Sequence, residues 1–288
     1  MRCLLPLGCI LIFPMVMAGS EGVVVIQGDM RASNIFPTFD RGYLATYELN
    51  AVAVYAPDGS LAMRIAKPAG GNFVNADMDS DGSVAVAFHQ GGRTGGIAIY
   101  YRDGSPEGQM MTGVWQPSQV CFAPDHSIWA VGDQDRLPEM DRIDYFLLRH
   151  YSRDGVLLGE SLQRSWFPAD AWPGQVVVGG WRLRIVHDRI GMVLDRSGKN
   201  NGILWLETDL SGKETGRWTT PSGGVPRAMT ESGDVYVQGM GSISVLDRAT
   251  NSWKPVPQTF NDGILGAEGD TLVFAVRGMN EVRRASQP

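Results

Sequence analysis

The sequence predicts an all-β protein, a six-bladed β-propeller of four-stranded blades whose ring is closed by its N-terminal strand. Three observations predict it. Beyond the first residues no stretch keeps a helical period; short runs rich in Val, Ile, Leu, Tyr and Trp alternate with Gly, Asp and Pro, the pattern of many strands joined by tight turns. Two kinds of turn alternate along the chain. The first kind recurs at residues 40, 81, 125, 189, 232 and 268, so successive units run 41, 44, 64, 43 and 36 residues. Such a unit holds four strands and cannot bury both faces of its sheet without neighbours.

The elements follow in order. The opening "MRCLLPLGCILIFPMVMAGS" has one positive charge at Arg2, an apolar run and small residues around Ala18, the pattern of a secretory signal peptide over residues 1–18. Pro6 and Pro14 interrupt the run, which is shorter than the about 20 apolar residues of a membrane span. Residues 19–288 are then expected to be one propeller domain, periplasmic or secreted, with no membrane insertion after cleavage. "GVVVIQG" at 22–28 is a strand without a blade. Turns of the first kind separate an entering strand from a strongly apolar one: "FDRGYLATY", "DSDGSVAVAF", "APDHSIWAVG", "HDRIGMVLD", "TESGDVYVQG" and "AEGDTLVFAV". Turns of the second kind follow that apolar pair: "VAVYAPDGSL", "IAIYYRDGSP", "LLRHYSRDGVLL", "LWLETDLSGKE" and "ISVLDRATNSW". After Glu268 only 271–276 and 281–285 read as strands, so the last unit lacks its outer hairpin. The orphan strand at 23–26 supplies what is missing and removes two open sheet edges together. The 64-residue unit leaves five and seven as alternative blade counts.

The segments "VAVYAPDG", "IAIYYRDG" and "LRHYSRDG" resemble the blade ends of six-bladed NHL-like and TolB-like propellers: an apolar strand, an aromatic residue and a D-G turn. Asn50 in "ELNAVAVY" and Asn201 in "KNNGILWL" stand where that family carries an asparagine before the strand. The resemblance spans nearly all of the chain after the leader and implies a fold and a tendency to bind other molecules, not an activity.

Composition excludes some partners. The chain has 25 Lys and Arg against 31 Asp and Glu, a formal charge of −6 that becomes −7 without Arg2, and no basic cluster. Nucleic acid is not an expected partner. Cys3 and Cys9 belong to the leader, so Cys121 stands alone, without an internal disulfide, as a small buried hydrophobe in "QVCFAP".

"NADMDSDGSVAVAF" places Asp77, Asp79 and Asp81 ahead of Gly82 like the first half of a calcium loop. A loop counted from Asp77 has Phe88 at its twelfth position and Ala85 at its ninth, strands flank it, and Asp81 matches the turn residues of other units; no metal is expected. His89, His126, His150 and His187 show no metal-ligand spacing. His126 takes the turn position of Gly82, and His150 lies in a strand; both read as structural. There is no G-x-S-x-G, no phosphate loop and no residue set for a cofactor, so no catalytic residue is named.

Two groups of residues are candidates for binding. Asn34, Asn75, Gln119, Arg227 and Asp262 stand early in the inner strands, at the channel mouth, and suit a small polar ligand with Arg227 and Asp262 as charged partners; the alternative is that they hold loop backbone and channel water. Trp166, Phe167 and Trp172 lie in a loop of the long unit broken by Pro168 and Pro173 and are expected to be exposed anchors for a partner, the alternative being that they fill a wide blade. The sequence therefore reads as a binding protein for an unidentified protein, peptide or glycan, recognised through one face of the ring. The enzyme alternative is a metal-dependent, lactonase-like hydrolase with a cation on the axis, for which Asn34, Asn75 and Asp262 are the available ligands.

Overall fold

The computed structural model describes residues 24–25, 32–47, 51–67, 71–91, 94–134, 144–167, 172–174, 183–197, 202–257, 263–275 and 281–285. After β1 (Val24–Val25), blade 1 comprises β2 (Ala32–Pro37), β3 (Tyr43–Tyr47), β4 (Ala51–Tyr55) and β5 (Leu61–Ala66). Blade 2 comprises β6 (Gly71–Met78), β7 (Val84–Gln90), β8 (Thr94–Tyr100) and β9 (Pro106–Gly113). Blade 3 comprises β10 (Gln116–Phe122), β11 (Ile128–Asp133), β12 (Phe146–Tyr151) and β13 (Leu157–Gln163). Blade 4 holds β14 (Trp172–Gly174), β15 (Arg184–Val186), β16 (Arg189–Ser197), β17 (Gly202–Asp209) and β18 (Glu214–Thr219). Blade 5 holds β19 (Val225–Met229), β20 (Val235–Gly239), β21 (Ser242–Asp247) and β22 (Ser252–Val256). β23 (Gly263–Glu268), β24 (Thr271–Ala275) and β25 (Glu281–Ala285) form blade 6 with β1.

The six antiparallel sheets form the ring of a six-bladed propeller, as the turn spacing predicts. Closure is as predicted too: β1 pairs with β25, Val24 opposite Val282 and Val25 opposite Glu281. Because the strands are antiparallel, the hairpin turns after each first and third strand share one face, here called the turn face. The connections after each second and fourth strand share the other, the loop face.

The apolar runs are continuous because both faces of each sheet are covered. In β7, Val84, Val86 and Phe88 pack with Leu44, Val52 and Ile65 of blade 1, whereas Ala85 and Ala87 turn to the cluster shared with blade 3. Alternation of side chains along a strand thus feeds two neighbours. Blades 6 and 1 share Tyr43, Ala45, Val273 and Val282 in the same manner.

The D-G turns have two local causes. Asp58 Oδ1 accepts the Ser60 N–H at 2.9 Å and its hydroxyl at 2.6 Å, and Asp103 holds Ser105 with the same pair of distances. Gly104 is left-handed (φ 82°), and a Cβ there would lie 3.2 Å from Met63 Cγ of the preceding blade; at Gly212 it would lie 2.2 Å from Ser161 Oγ. Only glycine meets both demands.

The inner strands share one irregularity. β2, β6 and β10 each carry a bulge, at Ser33, Val74 and Ser118, in one register relative to the next strand. In blade 4 the same place holds the surplus of the long unit. β14 pairs with 195–197 and β15 with 189–191, so among the described residues 192–194 of β16 have no inner-strand partner.

Candidate functional site

The carboxylates of "DMDSDG" are already committed. Asp77 Oδ2 accepts the Phe122 N–H at 3.0 Å, and Asp81 Oδ1 sets its turn by accepting the Ser83 N–H at 2.8 Å. Asp79, Asp81 and His126 place potential ligand atoms within 4.8 Å of one another, yet a guanidinium fills the position of the cation. Arg153, in the turn between β12 and β13, reaches Asp81 Oδ2 at 2.7 Å and Asp79 Oδ2 at 3.3 Å through Nη1. Its Nε and Nη2 reach Glu107 at 2.7 and 2.8 Å, and Nη2 also reaches Ser83 Oγ at 2.6 Å. Those contacts occupy all five donors of the fork, and the carboxylates hold the guanidinium pKa above its ordinary value, Glu107 foremost. The residues suit an arginine and leave no open coordination for a metal.

Nor do the histidines assemble catalysis. Ser127 Oγ donates to Asp125 Oδ1 at 2.5 Å and lies 2.7 Å from His150 Nε2. Because the hydroxyl proton points at Asp125, the imidazole donates to Ser127 instead of taking its proton, the reverse of nucleophile activation. His150 also stacks on Trp129, ring centroids 4.2 Å apart, and burial lowers its pKa.

Two of the expected channel residues act between blades. Asn75 Oδ1 accepts the Val120 N–H at 3.1 Å, and Gln119 Nε2 donates to Val193 O at 3.0 Å; both side chains are buried. Gln119 thereby satisfies a carbonyl in the interrupted stretch of β16. These contacts match the alternative role, polar side chains holding backbone, here the unpaired inner edge of the next blade. Arg227 is the bulged residue of β19, and burial lowers its pKa. Asn34 follows the bulge in β2, opposite Thr46, with its side chain outside the described part. Asp262 lies outside the described residues. The structure thus places Asn75 at the seam of blades 2 and 3 and Gln119 at the seam of blades 3 and 4.

The aromatic segment divides. Trp166 ends a short 3₁₀ turn and is 58% exposed on the loop face. Phe167 corrects the expectation of exposure: it is 3% exposed beneath the Arg217 guanidinium, which lies 4.5 Å from its ring centroid. Trp172, expected in a loop, begins β14 opposite Ser197, its side chain outside the described part.

A concave feature on the axis lies on the turn face. A cavity of ≈ 410 Å³ draws its lining from all six blades. Met78, Phe122 and Met229 give it apolar walls, Phe39 stands 53% exposed at its rim, and Arg184, His187 and Glu268 bring charge. Arg184 reaches across: its Nη2 lies 3.0 Å from where a Gly266 Cβ would be, on blade 6. Glu268 is held by Arg284 Nε at 2.7 Å and Arg41 Nε at 3.3 Å. Around this mouth every inner hairpin has one left-handed residue. Three are Gly82, Gly233 and Gly269; the other three are Arg41 (φ 67°), His126 (φ 67°) and His187 (φ 55°). A side chain costs about 1–2 kcal/mol in that conformation, and all three that bear it here are basic.

No protein-family model matches the sequence, and no curated protein is similar to it. Among solved structures the chain is similar to a streptogramin B lyase structure, at 12% identity and a TM-score of 0.56 over 93% of this chain and 88% of that one. It is likewise similar to a glucose dehydrogenase, at 13% identity and 0.54 over 92% and 98%. A chain of a mitotic checkpoint complex gives 11% and 0.53 over 98% and 100%. The likeness is one of fold. Enzymes and an assembly component share it, so function has to be read from the side chains of this chain.

Sequence reasoning missed the cavity residues. Arg184 and His187 sit beside the recognised turn "HDRIG" without any motif, and their convergence with Phe39 and Glu268 is set by ring geometry. One signal was available: Arg41, His126 and His187 align with glycines at the same turn.

Proposed function

We propose that this chain is an exported propeller that binds a protein, peptide or glycan through one face of its ring, and that the turn face is that face. The observation that carries the reading is the axial cavity: concave, fed by all six blades, with apolar walls and a few charged groups. That is the form small-ligand sites take, at volumes of about 300–1,000 Å³. The alternative, a metal-dependent hydrolase with a cation on the axis, rests on Asn34, Asn75 and Asp262, of which Asn75 already gives its Oδ1 to the Val120 N–H, while Asp262 and the Asn34 side chain lie outside the described part. Export rests on the leader-like first 18 residues, which lie outside the described residues.

Trp166 supports a second reading, in which the loop face binds and the tryptophan is its anchor. One experiment separates the two. The purified protein is screened on peptide and glycan arrays, and hits are remeasured with Met78→Trp, which fills the cavity, Phe39→Glu, which charges its rim, and Trp166→Ala. Loss of binding in the first two and retention in the third supports the turn face. The opposite pattern transfers the site to the loop face.

A further inference from the structure

On the reading of the turn face as the binding face, we propose that its partner is a basic peptide. An apolar side chain of the peptide enters the axial cavity between Met78, Phe122 and Met229, and its lysines or arginines meet the acids of the surrounding turns.

Charge selects a cation, because the excess acidity of the chain is confined to this face. Its inner hairpin ends, at 38–42, 79–83, 123–127, 187–189, 230–234 and 268–271, hold nine Asp and Glu against two Lys and Arg, and its described outer ones, at 56–60, 101–105, 152–156, 209–213 and 247–251, hold five against four. The remaining residues of the chain hold seventeen against nineteen. The face is thus more negative than the whole molecule, whose formal charge is −6, and it stays negative with His126 and His187 protonated. Acids around a concave mouth focus their field on it and attract the opposite charge.

Turn chemistry does not account for the sign. Asp58 and Asp103 close their turns by accepting the Ser60 and Ser105 N–H groups, which the side-chain oxygen of an asparagine does as well. The hydroxyls of the turn serines hold the carboxyls of Asp58, Asp103, Asp125 and Asp209 below their ordinary pKa, so the charges stay. Nor do the cations of the protein offset them: Arg153 alone serves Asp79, Asp81 and Glu107. Arg184 has its partner within the protein, with Nη2 buried beside Gly266. Of the three acids in the cavity lining, Asp77 accepts the Phe122 N–H and Glu268 lies between Arg41 and Arg284. Glu231 is the one exposed to an incoming ligand, its Oε2 3.5 Å from where a Gly269 Cβ would be.

The walls select the rest of the peptide. Met78, Phe122 and Met229 line the cavity with apolar surface, which methionine adapts to varied shapes. Phe39, exposed at the rim, carries that surface outward. The stems of lysine and arginine lie along such surface while their charged ends stay in water. A neutral sugar has no charge for these acids.

The probe is N-acetyl-Lys-Leu-Lys-Leu-Lys amide, compared by calorimetry with the same peptide bearing Glu for Lys and with spermine. The expected result is binding of the lysine peptide at least about tenfold tighter than the glutamate peptide at low salt, a preference that shrinks as salt screens the charges. Glu231→Gln, and the double variant Asp58→Asn with Asp103→Asn, which keeps the turn acceptors, should each weaken the lysine peptide about threefold. Asp144→Asn removes one charge from the loop face and should leave binding unchanged. Equal affinities for the two peptides in the wild-type protein overturn the proposal, whether or not the variants fold. A loss in Asp144→Asn as large as in the turn-face variants overturns the placement. Binding of spermine as tight as that of the lysine peptide overturns the peptide as the partner, and absence of binding by every probe overturns the proposal entirely. The turn-face reading is judged apart from these: array ligands that are lost in Met78→Trp but carry no basic residue leave it standing and overturn the basic partner alone.

Discussion

His126 Nδ1 lies 2.8 Å from Asp79 Oδ2, tying the inner turn of blade 3 to that of blade 2. The hydrogen bond to Asp79 is the main reason the pKa of His126 is raised, whereas burial, opposed by Asp125, lowers that of His150. A raised pKa gives stability that is complete below the unfolded value, about 6.5, and is lost as pH rises through the folded value. A lowered one gives stability that is complete above about 6.5 and is lost as pH falls through the folded value. Thermal unfolding between pH 5 and 8 should show the stability difference between wild type and His126→Gln largest at acid pH and shrinking above neutrality. For His150→Phe the difference should instead fall on acidification. Parallel curves for wild type and both variants would contradict these assignments.

Calcium or chelator should leave the melting temperature unchanged, because Arg153 already serves Asp79, Asp81 and Glu107 as their cation. Arg153→Met should cost about 1.5–3 kcal/mol, the range for hydrogen bonds to charged groups, at the lower end because the side chain is 24% exposed. A calcium-dependent stabilisation of the wild-type protein would show that a metal displaces the guanidinium.

Removal of residues 19–28 should lower stability by about 1.5–3 kcal/mol, the scale of burying one valine, since Val24 packs with Val273 and Val282 and covers the edge of β25. Denaturant unfolding measures it. An unchanged midpoint would mean that β1 does not close the ring.

Phe167→Ala should cost about 3–5 kcal/mol as a buried aromatic truncation, while Trp166→Ala should stay within about 0.5 kcal/mol as a surface change. Chemical denaturation of the two variants side by side gives the comparison. Equal losses would mean that Trp166 is packed.

What was legible in the sequence was what local chemistry determines. An Asp-Gly-Ser turn is fixed by atoms two residues apart, so the turn spacing, the blade count and the missing outer hairpin are all written in the order of the residues. Asn75 and Gln119 were legible as polar residues in apolar strands, but their partners lie 45 and 74 residues away, and no local pattern records them. Phe167 misled because prolines around it suggest a loop, and they carry no record of the Arg217 that covers it. The cavity was invisible for the same reason: six strand ends make it together, and none makes it alone.

Four clasps from side chains to the backbone of the next blade run in one direction. Asn75 and Asp77 of blade 2 hold the backbone of blade 3, Gln119 of blade 3 holds that of blade 4, and Gln238 of blade 5 accepts the Ile264 N–H of blade 6 at 2.8 Å. Each of these blades carries the fastening for its successor, so the heritable unit is the seam between two blades. A chimera cut between whole blades would carry away a fastening without its target and leave a target without its fastening. A cut after the second strand would part them as well, because each fastening stands in the first or second strand of its blade and its target in the next blade.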